Sequence, residues 1–271
     1  MFPGQGSQVK GMGGDLFGKF PTEVKEANDV LGYSIEDLCL NDPNQQLMNT
    51  QYTQPALYVV EALAFMSKSD EAKPDYCIGH SLGEYAALFA AGCFDFRTGL
   101  ILVKKRGELM ARASGGGMLA VINLPVDRIK ALLQTHELNS IDFANYNSRA
   151  QVVLSGPASD ISKANEVLSK EAMMCVPLKV TGAFHSRYML EAANEFEVFL
   201  NQFNFGDLRC QVISNVTAEP YSHQAIKENL VKQITHSVKW TEIIRYLKNK
   251  GETVFIEVGP GNVLTRLMAQ N

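Results

Sequence analysis

Apolar side chains return at helical spacing between Thr53 and Met66, where Leu57, Val60, Leu63 and Ala64 share a side and Pro55 sits near the first turn. Lys73-Pro74-Asp75 reads as a turn and Tyr76-Cys77-Ile78 as a short apolar strand. Helices follow from about Glu84 through Ala91 and from about Phe96 to Ala113, the second with Leu100, Val103, Gly107 and Met110 on one face. Ser114-Gly115-Gly116-Gly117 then breaks the rhythm. Beyond it the pattern predicts a strand over Met118–Ile122, a helix over Val126–Leu133 with Asp127 in its first turn, and strands over Ile141–Asn145 and Gln151–Ser155. A helix over Ser159–Ser169 and a strand over Met173–Val180, interrupted by Pro177, complete a βαββαβ order. The remaining chain reads as helix Arg187–Gln202, strand Cys210–Ser214, helices Ile226–Ile234 and Thr241–Lys248, and strand Thr253–Glu257.

The βαββαβ run is that of a ferredoxin-like unit, and it is flanked on both sides by alternating strands and helices of the kind that build a parallel α/β sheet. The expected organisation is therefore a large discontinuous α/β domain, residues 1–116 and 183–271, interrupted by a small ferredoxin-like domain at 117–182. A chain of 271 residues, 46% hydrophobic and 20% charged, has the size and the balance for that arrangement.

Net charge is -4 and Lys and Arg form no long run, so a nucleic-acid or anionic-membrane surface is not expected. No apolar stretch reaches the roughly 18 residues that span a bilayer. Met1-Phe2-Pro3-Gly4-Gln5-Gly6 lacks the basic and apolar regions of a signal peptide. Cys39, Cys77, Cys93, Cys175 and Cys210 are odd in number and unpaired in spacing, which argues against a disulfide framework or a zinc site and for reduced thiols in a cytoplasmic protein.

Chemistry enters at Gly79-His80-Ser81-Leu82-Gly83, a G-x-S-x-G pattern between a strand and a helix. On such a turn the serine takes strained backbone angles that flanking glycines make room for, and its hydroxyl projects over the sheet edge. The helix start behind it offers unpaired N–H groups to a developing oxyanion. The plain alternative is a Gly-rich turn. A serine hydroxyl needs a base near neutral pH. Of the five histidines, His80 adjoins Ser81 and is expected to point away from it, His136 ends a polar helix, and His223 and His236 lie in polar stretches. His185, after Gly182-Ala183-Phe184, is the remaining candidate, with a structural histidine as the alternative. The glycines at 4, 6, 11, 13 and 14 let the first loop approach a substrate closely; a phosphate cradle is rejected because no Gly-Lys-Ser/Thr follows.

Taken together, these residues resemble the malonyl-CoA:acyl-carrier-protein transacylase family. Phe2-Pro3-Gly4-Gln5-Gly6-Ser7-Gln8 is similar to its opening, Gly79 to Tyr85 to its nucleophile elbow, Arg106-Gly107 to its carboxylate-binding site, Gly182-Ala183-Phe184-His185-Ser186 to its histidine motif, and Glu257 to Gly261 to its closing strand and turn. The resemblance implies an α/β-hydrolase-like large domain and malonyl transfer from malonyl-CoA to the phosphopantetheine thiol of an acyl carrier protein. Ser81 is then acylated and His185 is its base, held by backbone carbonyls such as that of Gln233. The N–H groups of Gln5 and Leu82 form the oxyanion hole, Arg106 pairs with the malonyl carboxylate, and Phe184 marks malonyl rather than methyl-branched substrates. No metal or permanently bound cofactor is required, since a thioester is already activated. The wording around Lys104–Met110 and Phe184–Met189 leans toward freestanding acyltransferases that serve polyketide synthases. The family also carries several strand residues before Phe-Pro-Gly-Gln-Gly where this chain has Met1 alone, so a short first strand is expected. Rival readings are an editing hydrolase on the same framework, to which Arg106 is superfluous, and a non-catalytic carrier-protein docking module, to which Ser81, His185 and Arg106 all are.

Overall fold

A computed structural model describes residues 1–68 and 73–271 of the chain. The first segment is helical: α1 (Leu16–Lys19), α2 (Pro21–Leu31), α3 (Ile35–Leu40) and α4 (Thr50–Met66). The sequence pattern had pointed to α4 alone. Two of the other three begin at local signals: Pro21 at the first position of α2, and the Ser34 side chain accepting from Asp37 N–H at α3. Helix α4 starts three residues before the expected Thr53, because Asn49 caps it by accepting from Gln51 N–H. Pro55 therefore lies inside the helix rather than in its first turn.

That displacement shapes the site. Proline has no N–H to offer the carbonyl of Gln51. Against this turn lies Gly107 of α6 (Phe96–Ala111), where a Cβ would stand 3.2 Å from the Thr50 carbonyl oxygen and 3.4 Å from that of Gln51. At Gly99 a Cβ would fall 2.0 Å from the Tyr58 hydroxyl. Two glycines on one face thus bring α6 close along α4, and Arg106 comes to rest beside Gln54.

Strand β1 (Tyr76–Cys77) leads into α5 (Gly83–Ala90), and β1 pairs in parallel with β6 (Gln211–Val212). Phe2 bridges Gly79 in parallel, and Met1 bonds to Ile256 and Val258 on its other side. The parallel sheet of the large unit is thus narrow. Cys210–Ser214 shrinks to two paired residues, and Thr253–Glu257 is not a strand: it gains backbone bonds from Met1, too few for a ladder, and leaves Val254 and Ile256 exposed.

The βαββαβ run is present as β2 (Gly116–Ile122), α7 (Val126–Thr135), β3 (Asp142–Ser148), β4 (Gln151–Pro157), α8 (Ala158–Leu168) and β5 (Met174–Pro177). Its sheet is antiparallel in the order β3-β4-β2-β5. Leu119, Val121, Ile129, Leu154, Ile161 and Leu168 belong to a core of its own. β5 ends at Pro177 rather than Val180, and proline is tolerated there because β5 is an edge. The expected helix Arg187–Gln202 is a 3₁₀ turn, Arg187–Met189, followed by α9 (Leu190–Leu200). The chain closes with α10 (Ile226–Thr235), α11 (Trp240–Asn249) and α12 (Val263–Met268). Among the described residues no helix is long and apolar enough to cross a membrane, and the five cysteines are free thiols, three buried and two half-buried.

Candidate active site

Ser81 sits on the turn between β1 and α5 with φ +51°, in the left-handed region that a side-chain-bearing residue seldom adopts. Glycine on either side is obligatory. A Cβ on Gly79 would lie 2.0 Å from the backbone of Gly83, and one on Gly83 would lie 2.1 Å from the Phe2 carbonyl oxygen. Asn215, just beyond β6, clamps the turn: its Oδ1 accepts from Ser81 N–H at 2.7 Å and its Nδ2 donates to the Gly79 carbonyl at 2.7 Å.

His185, also at positive φ (+56°), places Nε2 2.8 Å from Ser81 Oγ. Its Nδ1 donates to the Gln233 carbonyl at 2.7 Å, which fixes the tautomer and leaves Nε2 as the acceptor. Burial, and next the charge of Arg106, push the imidazole down to about 3, so it is neutral at ordinary pH. The other histidines do not reach the serine. His80 points to Asn147, with Nε2 2.8 Å from its Oδ1, while His136, His223 and His236 are exposed.

Arg106 is not a surface residue of α6: only 1% of it is exposed. Nη1 donates to Gln54 Oε1 at 2.7 Å, and Nη2 to Gln233 Oε1 at 2.9 Å and to Ser81 Oγ at 3.1 Å. Its guanidinium carbon lies 5.6 Å from the centre of the Tyr85 ring, and its Nε has no partner. No carboxylate forms an ion pair with it among the described residues. The nearby buried carboxylate, Glu84, is turned elsewhere. It accepts from Asn215 N–H at 2.7 Å, from the Tyr221 hydroxyl at 2.9 Å and from Gln233 Nε2. Burial pushes Glu84 up to about 7, against the pull of these hydrogen bonds and of Arg106.

A cavity of about 370 Å³ opens on this group. Ser81, His185, Arg106 and Phe184 line it from the large unit, Met118 and Asn145 from the small sheet. Gln5 and Leu82 line it too, and among the described residues neither backbone N–H makes a backbone hydrogen bond. Gly4 and Gly6 border the cavity, but Gly11, Gly13 and Gly14 do not; Gly13 packs on Phe17 and Val60 and serves the turn into α1 instead. Ser81, His185, Gln5, Leu82, Arg106 and Phe184 thus converge on one cavity, while Gln233 stands behind His185 and Arg106. Sequence reasoning missed Gln54, Glu84, Asn215 and Tyr221. Gln54 left a trace as a polar residue at helical spacing from Leu57, and Glu84 as a member of the Gly79–Tyr85 stretch.

The family model described as the acyl transferase domain matches residues 1–271. The chain belongs to that family. As an acyltransferase it is 54% identical over 272 residues to the polyketide biosynthesis malonyl CoA-acyl carrier protein transacylase BaeC of Bacillus velezensis, covering 99% of this chain and 94% of the relative. Among solved structures it is similar to the malonyl CoA-acyl carrier protein transacylase from Burkholderia pseudomallei, with TM-score 0.96, 46% identity, and coverage of 100% of this chain and 96% of that one. It is also similar, at TM-score 0.93 and 35% identity over 99% of this chain and 91% of the other, to a malonyl-transacylase solved in complex with its type II polyketide synthase acyl-carrier protein.

Proposed function

We propose that this acyltransferase moves malonyl groups from malonyl-CoA to the phosphopantetheine thiol of an acyl carrier protein, through a malonyl ester on Ser81. The observation that carries the reading is Arg106: a buried guanidinium without a carboxylate, 3.1 Å from the nucleophile, with an unpartnered Nε. A buried cation of this kind fits an acyl group that brings its own carboxylate. The relatives' names support the same substrate and acceptor, and BaeC supports service to a polyketide pathway.

In the first half-reaction Ser81 Oγ attacks the thioester carbonyl while His185 Nε2 takes its proton. The Gln233 carbonyl steadies the imidazolium through Nδ1–H. The N–H groups of Gln5 and Leu82 receive the oxyanion; losing one such donor costs on the order of 100- to 1000-fold in rate. The C–S bond then breaks, and His185 returns the proton to the departing coenzyme A thiolate. In the second half the carrier thiol gives its proton to His185 and attacks the ester, and Ser81 Oγ leaves with that proton. Phe184, 5% exposed, walls the cavity beside His185 and is positioned to limit substituents on the acyl α-carbon. Residues 1–116 and 183–271 act in this reading as the catalytic domain, and 117–182 as the small domain that adds Met118 and Asn145 to the cavity wall.

Intact-mass spectrometry after mixing with malonyl-CoA, with and without phosphopantetheinylated carrier protein, tests the proposal. A malonyl adduct that moves to the carrier supports it. Free malonate without transfer would favour the editing hydrolase, and no adduct at all would favour a docking module.

A further inference from the structure

We propose that Glu84 is a positioning residue for malonyl selectivity: it sets the orientation of the Gln233 side-chain amide, and through that amide the plane of the Arg106 guanidinium. The inference rests on the reading of Arg106 as the malonyl carboxylate's partner.

Glu84 Oε1 faces Asn215 N–H and the Tyr221 hydroxyl, and Oε2 faces Gln233 Nε2. The backbone N–H cannot change role, so Oε1 must accept, and the Gln233 amide N–H calls for an acceptor on Oε2 as well. An ionised carboxylate is acceptor-only and satisfies it. With Gln233 Nε2 turned to Glu84 and to the Ser81 carbonyl, at 2.9 Å from the latter, Oε1 is left toward Arg106 Nη2. A flipped amide would set an oxygen against the carboxylate and against the Ser81 carbonyl, and an N–H donor against the guanidinium, three mismatches in a buried site.

Arg106 is in turn gripped from two sides, by Gln54 Oε1 on Nη1 and Gln233 Oε1 on Nη2. Gln54 and Arg106 stand on two helices held closely together, whereas the Gln233 amide takes its direction from Arg106, the Ser81 carbonyl and Glu84, of which only Glu84 can change from acceptor to donor. The His185 contact uses the Gln233 backbone carbonyl and does not depend on how the side-chain amide is turned. Glu84 therefore acts on the carboxylate grip without altering the bond that orients the base. That separation distinguishes positioning from a general structural role.

The test is the ratio of acylation kcat/KM for malonyl-CoA to that for acetyl-CoA, both of which use Ser81 and His185. Glu84→Gln puts an amide N–H where one of the two oxygens accepted, so one donor faces another. Losing an aligned hydrogen bond to a charged group lowers the ratio about 10- to 100-fold. The fall should come through KM for malonyl-CoA, with acetyl-CoA acylation little changed. Tyr221→Phe removes one donor and leaves the carboxylate and the amide, so it should retain the ratio. A ratio that is unchanged or rises in a folded Glu84→Gln protein overturns the inference; a rise would mean that the carboxylate merely repels the malonyl anion.

The wild type supplies a second measurement should the variant not fold. Tyr85, Tyr221 and Arg106 face Glu84, and each keeps one protonation state from about pH 5.5 to 8.5. His185 is neutral across that range and common to both substrates. Protonating Glu84, whose carboxyl burial lifts to about 7, replaces an acceptor by a donor, so the malonyl-to-acetyl ratio should fall as pH drops below about 7. A ratio flat across this window counts against the idea. If malonyl-CoA forms no adduct with the wild type at all, the functional proposal has failed instead, which is a different result.

Discussion

Replacing Arg106 with alanine should invert the enzyme's preference, because the guanidinium acts on both substrates in opposite directions. With only 1% of the residue exposed, a malonyl carboxylate in the variant would enter a dry pocket without a counter-charge. Removing one member of a buried ion pair costs about 3 to 5 kcal/mol, or about 100- to 1000-fold or more in kcat/KM for malonyl-CoA. Acetyl-CoA has no carboxylate to lose. It stands to gain, because Arg106 restrains the machinery twice: its charge is the second cause, after burial, of the low basicity of His185, and its Nη2 donates to Ser81 Oγ. A malonyl carboxylate would neutralise that charge on binding, so the proposed substrate lifts the restraint on its own base. Arg106→Ala should therefore lower the malonyl-to-acetyl ratio by at least about 100-fold, with acetyl-CoA acylation equal to wild type or faster. Arg106→Lys should recover only part, since an ammonium cannot meet Gln54, Gln233 and the substrate in one plane. The assay is single-turnover release of coenzyme A from each thioester. An identical ratio in wild type and Arg106→Ala would refute the reasoning and place the carboxylate elsewhere.

Ser81→Ala should retain the fold and form no malonyl adduct; a protein of the added mass would remove Ser81 as nucleophile. His185→Asn should slow acylation by several orders of magnitude, on the order of 100- to 10,000-fold for loss of a general base, and near-normal rates would move the base to another group. The same variant reports on stability. His185 is depressed from 6.5 to about 3 in the folded chain, so the unfolded chain takes up its proton first as pH falls. The stability this neutral histidine provides is intact above about 6.5 and is lost toward 3; denaturant titrations should therefore show wild type declining relative to His185→Asn over that window, and parallel curves would contradict it. Phe184→Ser should widen the cavity and admit methylmalonyl-CoA, a shift of about 1 to 3 kcal/mol for one methyl group; unchanged malonyl-to-methylmalonyl ratios would show that Phe184 is not the gate.

How far the sequence foretells this site depends on whether the chemistry is local. The elbow was legible because a strand, two glycines and a helix start occur within a few residues, and the same residues that announce it produce the positive φ at Ser81. The βαββαβ unit was legible because its strands alternate over lengths that its own sheet completes. Periodicity failed where pairing decides the outcome. Thr253–Glu257 carries the short apolar run of a strand, Val254-Phe255-Ile256, yet a strand exists only where a neighbour offers a ladder, and Met1 offers a single residue's worth. Pro55 was misplaced for the opposite reason, since a helix end is set by its cap, and Asn49 lies outside the apolar stripe. His185 could be narrowed down but not chosen, because what makes it a base is the carbonyl of Gln233, 48 residues away. The hardest layer to read is the one that steers Arg106. Asn215 meets Ser81 across 134 residues, and Gln233 meets Glu84 across 149 and Ser81 across 152. No spacing rule spans such separations, and each of these side chains alone is an ordinary polar residue. They become chemistry only where β1, β6 and α10 bring them together in a buried space, for there each donor must find an acceptor and the count of oxygens decides which way an amide points.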